Sequence, residues 1–308
     1  MARVFVTRRL PGDAVERLRA AGHEVDVWTE PLAPPRETLL DRLADADALL
    51  CMLTDVVDAE LLDAAPRLHA IANYAVGSDN IDLEAARARG IPVGVTPGVL
   101  TDATADLAFA LILAIARRLP EGEAAVRGGE WKTWGPDWLL GRDVHDATLG
   151  IVGRGRIGSA VARRGEGFGM TVLHHGRSSG LSLDELLAQA DFVSLHVPLT
   201  PETRHLIDAA ALARMRSTAY LVNTARGGVV DQEALAAALH AGAIAGAALD
   251  VTDPEPLPPD HPLLDAPNLI VLPHLGSATH ATRAAMADLA VDNVLAALDG
   301  RPMPHPAT

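Results

Sequence analysis

The sequence holds a single cysteine, Cys51, in an apolar run with Ala48, Leu49, Leu50 and Met52. One thiol cannot close an internal disulfide, so the chain is no disulfide scaffold, and Cys51 reads as a small core residue. Lysine is almost missing too: Lys132 stands alone among 26 basic residues. With 40 acidic residues, the net charge of −14 speaks against a nucleic-acid surface. Aromatics make up 3% of the chain against 49% hydrophobic residues overall, so the interior is built from Ala, Leu, Val and Ile. No apolar run approaches the roughly 20 residues of a membrane span. The first residues enter a strand pattern at Val4-Phe5-Val6, and no signal peptide is expected. Low-complexity segments and short repeats are missing, and no spaced Cys/His cluster suggests a metal; His174 and His175 are merely adjacent. What remains is a cytoplasmic protein of 308 residues, long enough for two domains.

What is present is regular alternation. Strand patterns at Val4–Val6, Val25–Trp28, Leu49–Leu53, Leu68–Ala72 and Pro92–Val95 are separated by helical patterns at Asp13–Ala21, Arg36–Leu43, Asp58–Ala64 and Asp82–Arg89. The alternation resumes after Thr148. Strands are expected at Phe192–His196, Ala219–Asn223, Gly246–Asp250 and Leu269–Leu272, and helices at Leu183–Gln189, Ala209–Met215 and Gln232–Ala241. Such a pattern predicts parallel sheets covered by helices on both faces. Two long helices frame the second half, Thr101–Arg118 and Ala281–Leu298, whereas residues 119–147 read as irregular. The expected fold is α/β: two Rossmann-like, doubly wound parallel-sheet domains with an inter-domain cleft. Residues 1–97 with 281–308 would form a flavodoxin-like substrate domain, and 98–280 a dinucleotide-binding one.

The chemistry starts at Gly153-Arg154-Gly155-Arg156-Ile157-Gly158. A β-rich run precedes these residues, a helical pattern follows at once, and a second β run, Met170 to His174, comes next. Strand, glycine turn, helix and strand make a dinucleotide-binding unit. The first glycine allows the turn, the second admits a pyrophosphate, and the third lets helix and strand pack; the helix N-terminus faces the phosphates. Farther on, Arg226, Glu255 and His274 each follow an expected strand. Singly, each has an ordinary structural explanation. Together they supply a carboxylate clamp, a proton donor and a group that orients the donor, which suits reduction of a 2-keto acid by a nicotinamide.

Five stretches carry a resemblance. They are residues 73–82 (Asn-Tyr-Ala-Val-Gly-Ser-Asp-Asn-Ile-Asp), 98–106 (Gly-Val-Leu-Thr-Asp-Ala-Thr-Ala-Asp), the glycine turn, 223–227 (Asn-Thr-Ala-Arg-Gly) and 273–279 (Pro-His-Leu-Gly-Ser-Ala-Thr). Over essentially its whole length the sequence resembles the D-2-hydroxyacid dehydrogenases, most of all their glyoxylate/hydroxypyruvate reductases. The resemblance implies that His274 is the general acid, that Glu255 hydrogen-bonds its imidazole and keeps it protonated, and that Arg226 grips the substrate carboxylate. An isolated histidine titrates near 6.5, so a carboxylate beside it is a useful correction. The resemblance further implies substrate contacts at Val76, Gly77, Leu100 and Ser277. Cofactor contacts would come from Thr104, Gly153, Gly155, Arg156, Ile157, Gly158, Val197, Pro198, Thr224, Ala225, Asp250 and Gly276. Trp138, one of three tryptophans in eight positions with Trp131 and Trp134, matches a residue that reaches into the partner subunit's site in a homodimer.

Two departures bear on specificity. NAD-binding units place an acidic residue about 20 positions past the glycines to bond the ribose 2′-hydroxyl. Here that place is Gly176, followed by Arg177, Ser178 and Ser179, which suit a 2′-phosphate. NADP(H) is therefore expected to be preferred, with NAD(H) possible. Phosphoglycerate dehydrogenases of the family carry an arginine near the start of the substrate loop, and Ala72-Asn73-Tyr74-Ala75 offers no cation. Glyoxylate and hydroxypyruvate are thus the leading substrates, giving glycolate and D-glycerate. The alternatives are a D-lactate or D-3-phosphoglycerate dehydrogenase and, in another class, an NAD(H)-responsive regulatory binding protein.

Overall fold

The computed structural model describes residues 1–177 and 179–307. The chain divides into two compact units, Met1–Leu100 with Ala278–Thr308, and Thr101–Ser277.

The first unit alternates β1 (Arg3–Val6), α1 (Ala14–Ala20), β2 (Glu24–Val27), α2 (Arg36–Leu43), β3 (Ala48–Cys51), α3 (Ala59–Asp63), β4 (Ala70–Asn73), α4 (Leu83–Ala88) and β5 (Val93–Gly94). Its five strands are parallel in the order β2-β1-β3-β4-β5, the flavodoxin-like doubly wound order. Residues of β3 and β4 are buried throughout, as expected for strands covered on both faces. Each fully buried Leu or Ile here contributes roughly 1.5–3 kcal/mol. The chain's last long helix, His280–Leu298, packs on β3, β4 and α1. Its Asn293 is fully buried and satisfied: the amide donates to the Val95 carbonyl (3.0 Å) and the side-chain oxygen accepts the His305 N–H (3.0 Å). Gly94 makes room for it, since a Cβ there would lie 2.6 Å from the Asn293 amide.

The second unit begins with α5 (Thr101–Ala116) and α6 (Leu119–Arg127). It continues β6 (Thr148–Val152), α7 (Arg156–Gly167), β7 (Thr171–Gly176), β8 (Ser179–Gly180), α8 (Leu183–Gln189), β9 (Phe192–Leu195), α9 (Ala209–Arg214), β10 (Tyr220–Asn223), α10 (Gln232–His240), β11 (Gly246–Leu249) and β12 (Leu269–Val271). The helix His280–Leu298 is then α11. The sheet order is β12-β11-β10-β9-β6-β7-β8. Six of these strands run parallel, and β8 is an antiparallel edge that the alternation did not announce. The Rossmann-like unit switches direction between β6 and β9, the place where such sheets bind ligands beyond their carboxyl ends.

Local chemistry sets many helix starts. Asp58, Asp82, Asp208, Asp231 and Thr279 each accept a backbone N–H in the first turn of the helix they precede, and Ser182 forms a full capping box with Glu185. The expectation that residues 119–147 are wholly irregular is corrected: α6 occupies Leu119–Arg127. It restarts directly after α5 because Arg118 takes a left-handed turn (φ 52°) and Pro120 falls in the first turn, where its missing N–H costs nothing. No helix among the described residues is long and apolar enough to cross a membrane.

Candidate active site

The glycine turn joins β6 to α7, and each glycine has its own constraint. Gly153 is left-handed (φ 94°), and a Cβ on it would meet the His196 carbonyl oxygen at 2.7 Å. At Gly158 a Cβ would meet the Gly153 oxygen at 2.1 Å. Gly155 is different: its Cβ position faces open space, and it caps α7 without any side-chain acceptor. The first-turn N–H groups of a 12-residue helix are therefore left for an anion. Arg154, Gly155 and Arg156 are exposed here, whereas Ile157 is partly buried. At the end of β10, Thr224 is 8% exposed and its buried hydroxyl has no partner. A bare helix N-terminus that follows an open glycine, and an unsatisfied buried hydroxyl past the end of another strand of the same sheet, fit a nicotinamide dinucleotide.

Arg226, Asp250 and His274 follow β10, β11 and β12, three adjacent parallel strands. Nδ1 of His274 lies 2.5 Å from Oε1 of Glu255, with the two side chains 23% and 29% exposed. With Nδ1 held by the carboxylate, Nε2 is the nitrogen left to deliver a proton. The Arg226 guanidinium touches the Ala225 carbonyl (2.9 Å). Its turn is fixed from below by Asn223, fully buried, whose amide donates to the Arg226 carbonyl (2.8 Å) and whose oxygen accepts the Ala225 N–H (3.0 Å).

His274 is one of few non-glycine residues with positive φ (56°). Such a backbone persists only where its surroundings hold it. Asp250 does so. Its carbonyl accepts the His274 N–H (2.9 Å), and its carboxylate accepts the N–H groups of Leu275 (2.6 Å) and Gly276 (2.8 Å). Asp250 is 1% exposed, and burial pushes its carboxyl above the usual range. Gly276 fits between Asp250 and Thr104 of α5, where a Cβ would lie 3.3 Å from both. Neither the anchoring by Asp250 nor the support by Asn223 is visible in sequence spacing.

The remaining expected cofactor residues lie as follows. Val197 and Pro198 come directly after β9, partly buried and exposed respectively, and the Thr203 hydroxyl donates to the Pro198 carbonyl (2.6 Å). Gly176 ends β7, and Arg177 is exposed in the turn that follows. Ser178 lies outside the described residues, and Ser179 opens β8.

In the first unit, exposed Val76 and partly buried Gly77 sit in the loop after β4, and Leu100 is buried. A polar network shapes that loop. The buried Asn73 amide donates to the Gly77 carbonyl (2.8 Å) and to Oδ1 of Asn80 (2.9 Å), and the Asn80 amide donates to the carbonyls of Met52 (3.1 Å) and Asp55 (2.9 Å). Ser277, at the end of the second unit, is partly buried. Trp138 lies with Trp131, Trp134 and Leu140 among the exposed large apolar residues.

Comparison with known proteins agrees with this reading. Residues 109–276 match the model of the family described as D-isomer specific 2-hydroxyacid dehydrogenase, NAD binding domain. A glyoxylate reductase of Korarchaeum cryptofilum is 50% identical, over 98% of this chain and 95% of the relative. One of Thermococcus kodakarensis is also 50% identical, over 98% and 95%. A crystal structure of a Thermus thermophilus protein superposes with a TM-score of 0.95 at 54% identity, covering 99% of this chain and 100% of that one. The NADPH-dependent glyoxylate/hydroxypyruvate reductase of Sinorhizobium meliloti, solved with NADP and malonate, gives 0.86 at 34% identity, covering 100% and 97%. The chain belongs to the D-isomer specific 2-hydroxyacid dehydrogenase family. It is an NAD(P)-dependent dehydrogenase.

Proposed function

We propose that this protein reduces glyoxylate to glycolate, and hydroxypyruvate to D-glycerate, with NADPH as the preferred reductant. The observation that carries the reading is the His274–Glu255 pair, 2.5 Å apart, on the strand-end row that also bears Arg226. The glyoxylate reductases at about half identity over nearly the whole chain support the substrate class. The second unit would hold the dinucleotide through Gly153, Gly155, Arg156, Ile157, Gly158, Val197, Pro198, Thr224, Ala225, Asp250, Gly276 and Thr104. When bound, the nicotinamide supplies the hydride that reaches the keto carbon. Arg226 pairs with the substrate carboxylate through a fork of two N–H bonds and polarises the carbonyl. His274 gives the Nε2 proton to the carbonyl oxygen, and Glu255 stabilises the imidazolium that precedes this step. Val76 and Gly77 offer backbone N–H groups to the carboxylate, with Leu100 and Ser277 lining the substrate.

NADPH preference rests on the end of β7. Gly176 stands where an acid would bond the ribose hydroxyl, and the exposed Arg177 follows, so a 2′-phosphate would meet a cation there in place of an acid. The exposed tryptophans 131, 134 and 138 support a homodimer in which Trp138 enters the partner subunit's site. A cytoplasmic location is supported by the unpaired Cys51. The test is steady-state kinetics over glyoxylate, hydroxypyruvate, pyruvate and phosphohydroxypyruvate with both reductants. The highest kcat/KM is expected for glyoxylate or hydroxypyruvate with NADPH. A preference for pyruvate or the phosphorylated acid would reassign the substrate, and no turnover with any would favour a regulatory binding protein.

A further inference from the structure

We propose that Gln232 is a positioning residue for proton delivery, fixing the loop that carries Glu255; this rests on the reading of Glu255 and His274 given above. Gln232 is the first residue of α10 and only 7% exposed. Its amide nitrogen donates to the Asp253 carbonyl (2.5 Å), and its amide oxygen accepts the Asp253 N–H (2.9 Å). One side chain thus fills both backbone groups of a residue two positions before Glu255, as a neighbouring strand would. Asp231, the cap of α10, accepts the Ala234 N–H (3.0 Å) and fixes the helix end from which Gln232 reaches.

The same loop is pressed against the arginine loop. A Cβ on Gly227, next to Arg226, would lie 2.0 Å from the Thr252 carbonyl group and 2.5 Å from the Asp253 nitrogen. The Thr252 hydroxyl closes onto the Pro254 carbonyl (2.8 Å). Arg204 reaches the Asp253 carboxylate at 3.4 Å, but both side chains are about half exposed, so this ion pair holds little. Glu255 and the buried Asp250 are charged groups that act on the imidazole. The buried hold on the Asp253 backbone comes from Gln232. Only an amide supplies donor and acceptor together at that length; glutamate keeps the acceptor alone, and methionine keeps the volume with neither. Freed from this clamp, the loop would let Glu255 drift from Nδ1, and a displacement of an ångström at a reacting group is costly.

The experiment is a mutant cycle on the full chain with Gln232→Met, Gln232→Glu, Glu255→Gln and the double variant Gln232→Met/Glu255→Gln. It reads kcat with glyoxylate and NADPH, the solvent deuterium isotope effect on kcat, and NADPH affinity by fluorescence titration. Gln232→Met is expected to lower kcat about tenfold and raise the solvent isotope effect, with NADPH affinity within about twofold of wild type. Gln232→Glu, which turns an acceptor towards the Asp253 carbonyl, should lower kcat at least as much, and should decide the matter by itself if the methionine variant does not fold. On the Glu255→Gln background, Gln232→Met should cost less than about twofold, because the group it positions is already gone. Equal losses with and without Glu255, or an unchanged solvent isotope effect, would overturn the role of Gln232. Wild-type kcat in Glu255→Gln alone would overturn the proton-delivery reading, and Gln232 with it.

Discussion

The backbone of His274 hangs from Asp250: the His274 N–H donates to the Asp250 carbonyl at 2.9 Å, and the next two N–H groups donate to its carboxylate. A left-handed, non-glycine residue, the proposed proton donor, is thereby held in a segment whose three successive N–H groups donate to one buried residue. Replacing Asp250 by Asn turns one of the two acceptors into a donor facing a donor. Leaving such a buried N–H unsatisfied costs about 1–3 kcal/mol. Asp250→Asn is therefore expected to lower kcat for glyoxylate by roughly 10- to 100-fold, as the imidazole loses its placement. Stopped-flow turnover checks this, and a kcat within twofold of wild type would remove Asp250 from the support of His274.

Cofactor choice should turn on one side chain. Arg177→Ala is expected to lower kcat/KM for NADPH by at least about tenfold and for NADH by less than about threefold, since only NADPH carries the phosphate that the guanidinium would pair with. Parallel titrations of both reductants measure it. Equal losses would mean that Arg177 does not read the 2′-phosphate.

His196 predicts a pH effect on stability. It follows β9 beneath the glycine turn, its Nε2 lies 2.9 Å from the Ser194 hydroxyl, and burial pushes its imidazole down to about 3. The unfolded imidazole titrates near 6.5. As pH falls from 6.5 towards 3 the unfolded chain takes up a proton that the folded chain refuses, so stability is lost over that window. Between pH 7 and 5 the loss attributable to His196 should be roughly 1–2 kcal/mol. Urea unfolding at both pH values, in wild type and His196→Gln, isolates it: the fall should be smaller by that amount in the variant. Identical pH slopes would show that His196 is protonated alike in both states.

How far the sequence could be read depended on the range of each contact. The turn at Gly153, Gly155 and Gly158 was legible because the left-handed φ of Gly153 and the contact between Gly158 and Gly153 act within six residues, although Gly153 is also pressed by His196 from across the sheet. Strand alternation was legible for the same reason, and it placed Arg226 and His274 at strand ends. Helix α6 was not, because Pro120 and Gly122 read as loop residues, and only the left-handed Arg118 allows a new helix to start at Leu119. The supports of the site were illegible for a different reason. Asp250 reaches Leu275 and Gly276 across 25 and 26 residues, and Gln232 reaches Asp253 across 21. Such loop-to-loop bonds carry no periodicity and exist only once β10, β11 and β12 lie side by side.

His274 is proposed to hand over the proton when glyoxylate is reduced, and NADPH oxidation by glyoxylate in wild type and His274→Ala reads that role most directly. Robust turnover is expected in the wild type and a kcat lower by about 10²–10⁴-fold in the variant, with NADPH binding within about twofold. Turnover of His274→Ala within a few-fold of wild type would contradict that role.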